Sequence, residues 1–523
     1  MAEYDVVVAG GGNNGLTAAA YLAKAGVSVC VVETKPYVGG RVVTREVTGP
    51  GFKQDIASTA HIFIQPNPLI LNDELKLLSK YGLKYLYPDV PYAVIFPNDR
   101  ALMFSRDLDK TCASIEKFSK KDAEAYRRFH DWAIQFLDML TAGMYSPPPP
   151  FGAFVSMLDQ TEEGQGLLRS LLISGLDITN DWFESDEVKM AMTRFVSEAM
   201  MDPQVQGTGF NLFMFIPIIH KYGLGVPVGG SGALSEALAR CIEDYGGTIR
   251  TSSTIRSFKV EGGEAKGVIL DTGEEILAKR AVVTNLSIRQ LPEMAGEQNL
   301  PPAFLTKVKH LRHASYQAIH QLLTINEAPK YKAGIKAEES LFVECCPGTF
   351  EEYMRGFDDY KYGIPVTNSP VTVCWTIIDP SRAPAGKHTL YLYHYEPYNL
   401  KGGAARWDEI KQEVADGVLK TLQDHTTNMG KENILGRWIS SPLDFERNNP
   451  SWVQGDFMHI GSYLHQNLGN RPLPGWAQYR MPIKKLYLCG PSTSPGPGVI
   501  GDGRAAVQVV MEDLGIDFEK VIS

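Results

Sequence analysis

Cysteine is scarce in this chain. Seven occur in 523 residues, an odd number without regular spacing, so no disulfide framework is encoded. Cys345 and Cys346 are the one adjacent pair, and that spacing matches no metal or redox motif; Cys30 and Cys374 lie in apolar, strand-like runs where a small buried thiol is expected. The interior of a reducing cell compartment is the implied home, and cytoplasmic the expected location. Positive charge is not in excess either. A net charge of -9 and an isoelectric point near 5.7 exclude a general nucleic-acid binder, which needs concentrated cations to neutralise phosphates. Long apolar runs are missing, because no stretch approaches the ~18 uncharged residues of a membrane span. The most apolar segment, 210–219, is short and contains Pro217; it is expected to line a cavity or to touch a membrane surface peripherally. No secretory leader is expected, because a strand pattern begins within three residues. Internal repeats and low-complexity tails are absent too.

What is present is the composition of a folded α/β protein, 44% hydrophobic and 21% charged. Residues 4–9 read as a buried parallel strand, since Val6, Val7 and Val8 are consecutive and β-branched. Glycines follow, then an amphipathic helix over 14–25 that ends at Gly26, then a second strand over 27–32. Residues 70–224 change character. Ser119 and Asp122 resemble a capping box opening a long helix, Pro147 to Pro150 form a stiff run, and helical patterns recur over 164–176 and 187–201. Gly229, Gly230 and Gly232 precede a helix over 233–245, followed by strands at 248–252, 255–261, 267–271 and 281–284. Strand signals at 371–378 and 388–395, a helix over 407–424 and a last buried strand at 485–489 complete the pattern. Tyr391, Tyr393 and Tyr395 alternate at strand spacing, which ordinary sheet packing explains.

The first turn carries Gly10-Gly11-Gly12-Asn13-Asn14-Gly15, a G-x-G-x-x-G sequence between strand and helix. Gly10 allows the tight turn, Gly12 lets a pyrophosphate approach the backbone, and Gly15 lets helix pack on strand. The helix N-terminus beyond offers unpaired N–H groups and partial positive charge to that phosphate. Glu33, 18 residues after Gly15, ends the second strand where a carboxylate takes ribose hydroxyls and repels the extra phosphate of NADP. Gly39-Gly40-Arg41 follows it, and here the chain resembles the glutathione-reductase-type FAD enzymes. At the far end, residues 486–490 and 495–506, with Pro495-Gly496-Pro497-Gly498-Val499-Ile500-Gly501-Asp502-Gly503, look like the C-terminal flavin motif of the phytoene desaturase-like family. Gly229 to Leu234 and Asn285 match that family as well, so the resemblance covers both ends and the middle. Pro497, Asp502 and the detail of residues 52–63, including Asp55, depart from its carotenoid desaturases, so a carotenoid substrate does not follow.

The resemblance implies a discontinuous Rossmann-type, glutathione-reductase-like FAD domain from 1–70, 225–300 and 450–523, with an α+β substrate domain from 71–224 and 301–449. It implies cofactor contacts at Gly10, Gly12, Asn13, Asn14, Gly15, Glu33, Thr34, Lys35, Gly39, Gly40, Arg41, Ser58, Thr59, Ile255, Asn285, Gly490, Pro491, Gly498, Val499, Gly501 and Asp502. His61 and His220 are the candidate catalytic side chains. Residues 40–60 hold no cysteine, so a redox disulfide is missing, and no second G-x-G-x-x-G follows a strand, which argues against a dedicated NAD(P)H domain. The implied chemistry is hydride transfer from a small apolar or alicyclic substrate to FAD, with oxygen or a quinone taking the electrons onward. An amine oxidase, a redox-neutral isomerase and a flavin-binding assembly factor stay open, as does a homo-oligomer.

Overall fold

A computed structural model describes residues 2–523, without the side chains of Ile335 and Lys336. The chain is built on two large sheets. In the first, the Ala2–Ala9 strand lies between Val29–Val32 and Glu275–Thr284 and runs parallel to both. Thr248–Arg250 adds beyond Val29–Val32, and Leu486–Leu488 adds beyond the end of Glu275–Thr284, both again parallel. Ile255–Glu261 and Glu264–Leu270 extend the sheet antiparallel. The run of valines at its centre follows from burial on two sides: Val6 and Val8 join the core under the helices, and Val7 and Ala9 the core beneath. Helices Asn13–Lys24, Gly232–Asp244 and Gly503–Asp513 pack over the first of these faces. Residues from the start, the middle and the end of the chain therefore share one α/β layer, the Rossmann-type architecture expected.

The second sheet runs Ile434–Ser440, Gln317–Ile325, His388–Glu396, Val371–Val373, Phe342–Cys345, Tyr92–Ile95, Ala101–Phe104. Only the Phe342–Cys345 and Tyr92–Ile95 pair is parallel. Strand His388–Glu396 shows why its faces differ: Leu390 and Leu392 pack under the Trp407–Asp424 helix, while Tyr391, Tyr393 and Tyr395 turn to the opposite core. That second core is roofed by helices Lys120–Met144, Gly175–Trp182, Asp186–Ser197 and Phe210–Lys221.

Several local expectations change. Ser119 caps the long helix by accepting the Asp122 N–H at 3.0 Å, but Asp122 does not reciprocate. Its carboxylate accepts the Glu184 and Ser185 N–H groups instead, at 2.8 and 2.9 Å, tying this helix to the start of a later one. The helix read over 164–176 stops at Leu172, because Ser174 and Asp177 form a capping box that starts a separate helix. Pro217 does not interrupt Phe210–Lys221; burial of eight consecutive residues outweighs one missing backbone bond. The strand read over 371–378 ends at Val373 and turns into a short 3-10 helix at Trp375. All seven cysteines are free and buried, and burial pushes the Cys30 thiol up to about 11. Among the described residues no helix is long and apolar enough to cross a membrane, and no three His, Cys, Asp or Glu gather as metal ligands.

Candidate active site

The C-terminal ends of the parallel strands converge on one edge, where ligands of open α/β sheets bind. Gly10 (φ +96°) turns the chain sharply after the first strand, and its N–H bonds the Val32 carbonyl at 2.9 Å. Gly12 caps the first helix without a side chain. Gly15 lies so close to the Gly10 carbonyl that a methyl group there would sit 2.4 Å from that oxygen. Glu33 accepts the Gly11 N–H at 2.9 Å and the Lys35 N–H at 2.8 Å, which fixes its carboxylate beside the turn. Burial nonetheless raises its pKa. Gly39 and Gly40 (φ +116° and +62°) bring a third segment in, with the Gly39 N–H on the Gly11 carbonyl at 2.8 Å.

The far segments close on this turn. The Asn285 N–H bonds the Ala9 carbonyl and the Cys489 N–H the Thr284 carbonyl, each at 2.8 Å. The Asn285 amide lies between two glycines: a methyl on Gly12 would sit 2.3 Å from its Nδ2, and one on Gly490 2.1 Å from its Oδ1. Gly503 packs against the first helix equally closely, 2.1 Å from the Asn14 carbonyl to its would-be methyl. Arg41 lies over the Phe457 ring at 4.5 Å and donates from Nη1 to the Phe457 carbonyl at 3.3 Å.

Buried polar atoms without protein partners cluster here. They include Asn13 Nδ2, Asn14 Oδ1, Arg41 Nε, Ser58 Oγ, Asn285 Oδ1 and both carboxylate oxygens of Asp502. Such atoms are costly unless a ligand satisfies them. Asp502 is 1% exposed at the N-cap of the last long helix, and burial raises its pKa well above the ordinary carboxylate value. Donors, acceptors and a cation spread along one groove fit a phosphate-linked dinucleotide with a polyol chain. Thr34 stands apart because it is exposed. Lys35 contributes its backbone, taking the Ser252 N–H at 2.9 Å. Ile255 opens its strand two residues after Ser253, whose N–H bonds the Glu33 carbonyl at 2.9 Å.

A cavity of about 490 Å3 adjoins the groove. Arg41, Ser58, Thr59, Gly498 and Val499 form one end; Pro491 lies behind it, its carbonyl taken by the buried Arg471. The helical segments supply Met139, Met144, Phe154, Phe195, Met214 and Phe215, and the second sheet supplies Phe342, Val371, Tyr391 and Tyr393. The expectation that segment 210–219 lines a cavity is met, and the tyrosines read as sheet packing also line it. The Tyr391 hydroxyl pairs with His320 Nδ1 at 2.9 Å. Burial lowers the His320 pKa to about 3, so that imidazole is neutral.

Neither histidine singled out from the sequence lies in the cavity wall. His61 is wholly buried, with Nδ1 on the Tyr85 hydroxyl at 2.9 Å and Nε2 on Ser231 Oγ at 3.1 Å. Ser231 in turn bonds Asp55, whose carboxylate is paired with Arg382 at 2.7 Å, so His61 belongs to a strut beneath the groove. His220 has Nε2 on the Tyr126 hydroxyl at 2.9 Å and Nδ1 on the Arg106 carbonyl at 3.0 Å. Burial lowers their pKa values to about 3 and about 4. Both ring nitrogens of each imidazole are engaged with protein partners, and neither ring faces the cavity. Arg194 and Glu198 also line the cavity and were not singled out by the sequence; for Tyr391 the alternating tyrosine strand was the one signal available.

Fold and site together define a flavoprotein oxidoreductase that uses FAD. Residues 15–511 match the family described as flavin containing amine oxidoreductase, and the chain belongs to it. It is 31% identical to the rat (Rattus norvegicus) pyridine nucleotide-disulfide oxidoreductase domain-containing protein 2, over 98% of this chain and 94% of that one. It is 26% identical to a limonene dehydrogenase subunit of Castellaniella defragrans, over 98% and 96%, and 24% identical to the lycopene-forming phytoene desaturase of Pantoea ananas, over 97% and 99%. Among solved structures, an oxidoreductase from Methanosarcina mazei shares the fold with a TM-score of 0.62 and 19% identity, over 97% of this chain and 99% of that one.

Proposed function

We propose that this FAD-dependent oxidoreductase is a dehydrogenase or desaturase that removes two hydrogens from an apolar or alicyclic substrate held in the 490 Å3 cavity. The observation that carries this reading is that cavity itself: its wall is mostly Met, Phe, Pro and aliphatic side chains, and one end is made by segments at the cofactor groove. Names of relatives support it, one being a limonene dehydrogenase subunit and another a phytoene desaturase.

In this reading residues 1–70, 225–300 and 450–523 hold FAD, and 71–224 and 301–449 hold the substrate. Gly10 to Gly15 and Arg41 take the pyrophosphate, Glu33 the ribose, and Asn285, Gly490 and Asp502 the polyol and ring end. When bound, FAD supplies a two-electron acceptor for hydride. The chain's own side chains exclude water and orient the substrate carbon. The Tyr391 hydroxyl, held by neutral His320 at 2.9 Å, is assigned to orienting the substrate in the cavity. Electrons pass onward to oxygen or a quinone. A cytoplasmic location with peripheral membrane contact suits an apolar substrate, since Met139 and Met157 line the cavity and are 36% and 48% exposed.

The test is anaerobic mixing of the holoenzyme with alicyclic hydrocarbons, alcohols, ketones and amines while following the visible absorption of oxidised flavin. Bleaching by hydrocarbons or alcohols is expected. Bleaching by amines alone, with hydrogen peroxide released in air, would replace this reading with an amine oxidase. Tyr391→Phe is expected to bind substrate yet bleach about 100-fold more slowly, as a misplaced reacting carbon does.

A further inference from the structure

The cavity wall is apolar except at a few places, and one of these is charged without belonging to the cofactor groove. Arg194 and Glu198 lie one turn apart at the end of the Asp186–Ser197 helix, and both face the cavity. Arg194 is 2% exposed. Its Nε donates to Glu198 Oε1 at 2.7 Å, its Nη2 to the Tyr393 hydroxyl at 2.7 Å, and its plane lies 4.1 Å over the Tyr395 ring. The Tyr393 hydroxyl donates to the same Glu198 oxygen at 3.1 Å. One oxygen of Glu198 is therefore anchored twice. The other, Oε2, has no hydrogen-bond partner among the described residues, and the side chain keeps 31% of its surface open.

Behind the pair, Glu344 is wholly buried, accepts the Tyr92 and Tyr353 hydroxyls, and stands 3.9 Å from Arg194. Burial shifts Glu344 toward its neutral acid. Arg194 is hydrogen-bonded to Glu198 and stands farther from Glu344, so the patch presents one open carboxylate oxygen beside a fixed cation. Distance along the strand also matters. Tyr391 and Tyr393 both line the cavity and are two residues apart, about 7 Å in an extended strand. Tyr391 interacts electrostatically with Arg41 and Tyr393 bonds Glu198, which sets Glu198 about one such step from the cofactor end.

We propose that Glu198 selects the substrate: its outward oxygen accepts a hydrogen bond from a hydroxyl group carried by an otherwise apolar molecule, about two strand residues from the reacting carbon. A hydroxyl fits better than an ammonium. It needs one acceptor and brings no charge, whereas an ammonium at Glu198 would stand within a few ångströms of Arg194, a cation that cannot lose its proton. This assignment deepens the reading of the cavity as the substrate site and rests on it.

Three probes of one skeleton test it: decalin, 2-decalol and 2-decalylamine, titrated into the oxidised holoenzyme with the flavin absorption shift as readout. The ratio of decalol to decalin affinity is the quantity of interest, and it does not depend on the folded fraction or on turnover. A charge-assisted hydrogen bond predicts a ratio of about tenfold or more. The ratio is expected to fall several-fold in Glu198→Gln, which keeps an acceptor without charge, and to near one in Glu198→Ala. A ratio near one in the unaltered protein overturns the proposal, as does an unchanged ratio in both variants or tighter binding of the amine than the alcohol. Binding of all three probes alike removes Glu198 alone as the selector; binding of none removes the substrate cavity with it.

Discussion

A Gly12→Ala chain is expected to purify without its yellow colour. The added methyl would sit 2.3 Å from Asn285 Nδ2, and Asn285 cannot step aside, because its Oδ1 already lies against Gly490. The methyl also stands where the first helix presents its unpaired N–H groups to a phosphate. Overpacking alone costs about 1–3 kcal/mol, roughly 5- to 150-fold in Kd, before the lost phosphate approach is counted. Isothermal titration of apoprotein with FAD measures it. Gly152→Ala serves as the control: its would-be methyl meets nothing within 4 Å on an exposed helix, and the colour should stay. A Gly12→Ala protein that retains FAD at the affinity of the unaltered chain would refute the cradle.

The second large effect concerns stability. Arg504 in the last long helix forms a two-pronged ion pair with Glu74, at 2.8 and 2.7 Å, with side chains 9% and 3% exposed. The Tyr21 hydroxyl of the first helix donates to the same carboxylate. One buried pair therefore ties the C-terminal helix, the first helix and the segment leading out of the groove. Glu74→Ala leaves a cation buried without a counter-charge, which costs about 3–5 kcal/mol. That is a large part of the roughly 5–15 kcal/mol by which a typical domain is stable. Urea unfolding of the apoprotein should show the midpoint drop. Replacing both partners by methionine should recover most of the loss, since an apolar pair leaves no unmatched charge. A Glu74→Ala cost below about 1 kcal/mol would show that water reaches Arg504.

How much of this was legible beforehand follows from range. The dinucleotide turn, Glu33, the Gly39–Gly40 pair and the last strand were readable because each is a local pattern: β-branched runs, glycines at required positions and a helix start lie within a few residues. His61 and His220 looked chemically able for the same local reason, as imidazoles near apolar runs. Whether an imidazole is free depends on neighbours far along the chain: Ser231 is 170 residues from His61, and Tyr126 is 94 from His220. Asp122 is a smaller instance, its carboxylate diverted from the expected capping box to backbone 62 residues on.

The amino-acid order by itself determined the cofactor end of the molecule, because phosphate binding by a helix N-terminus needs only a strand, three glycines and a helix in succession. The apolar cavity beside it was decided in three dimensions. Glu198 on a helix and Tyr393 on a strand 195 residues later meet only when two layers pack face to face. Asn285 becomes a keystone only when Gly12 and Gly490 close on it from opposite ends of the chain. Contacts of that kind arise from the packing of whole layers, so no window of sequence contains them.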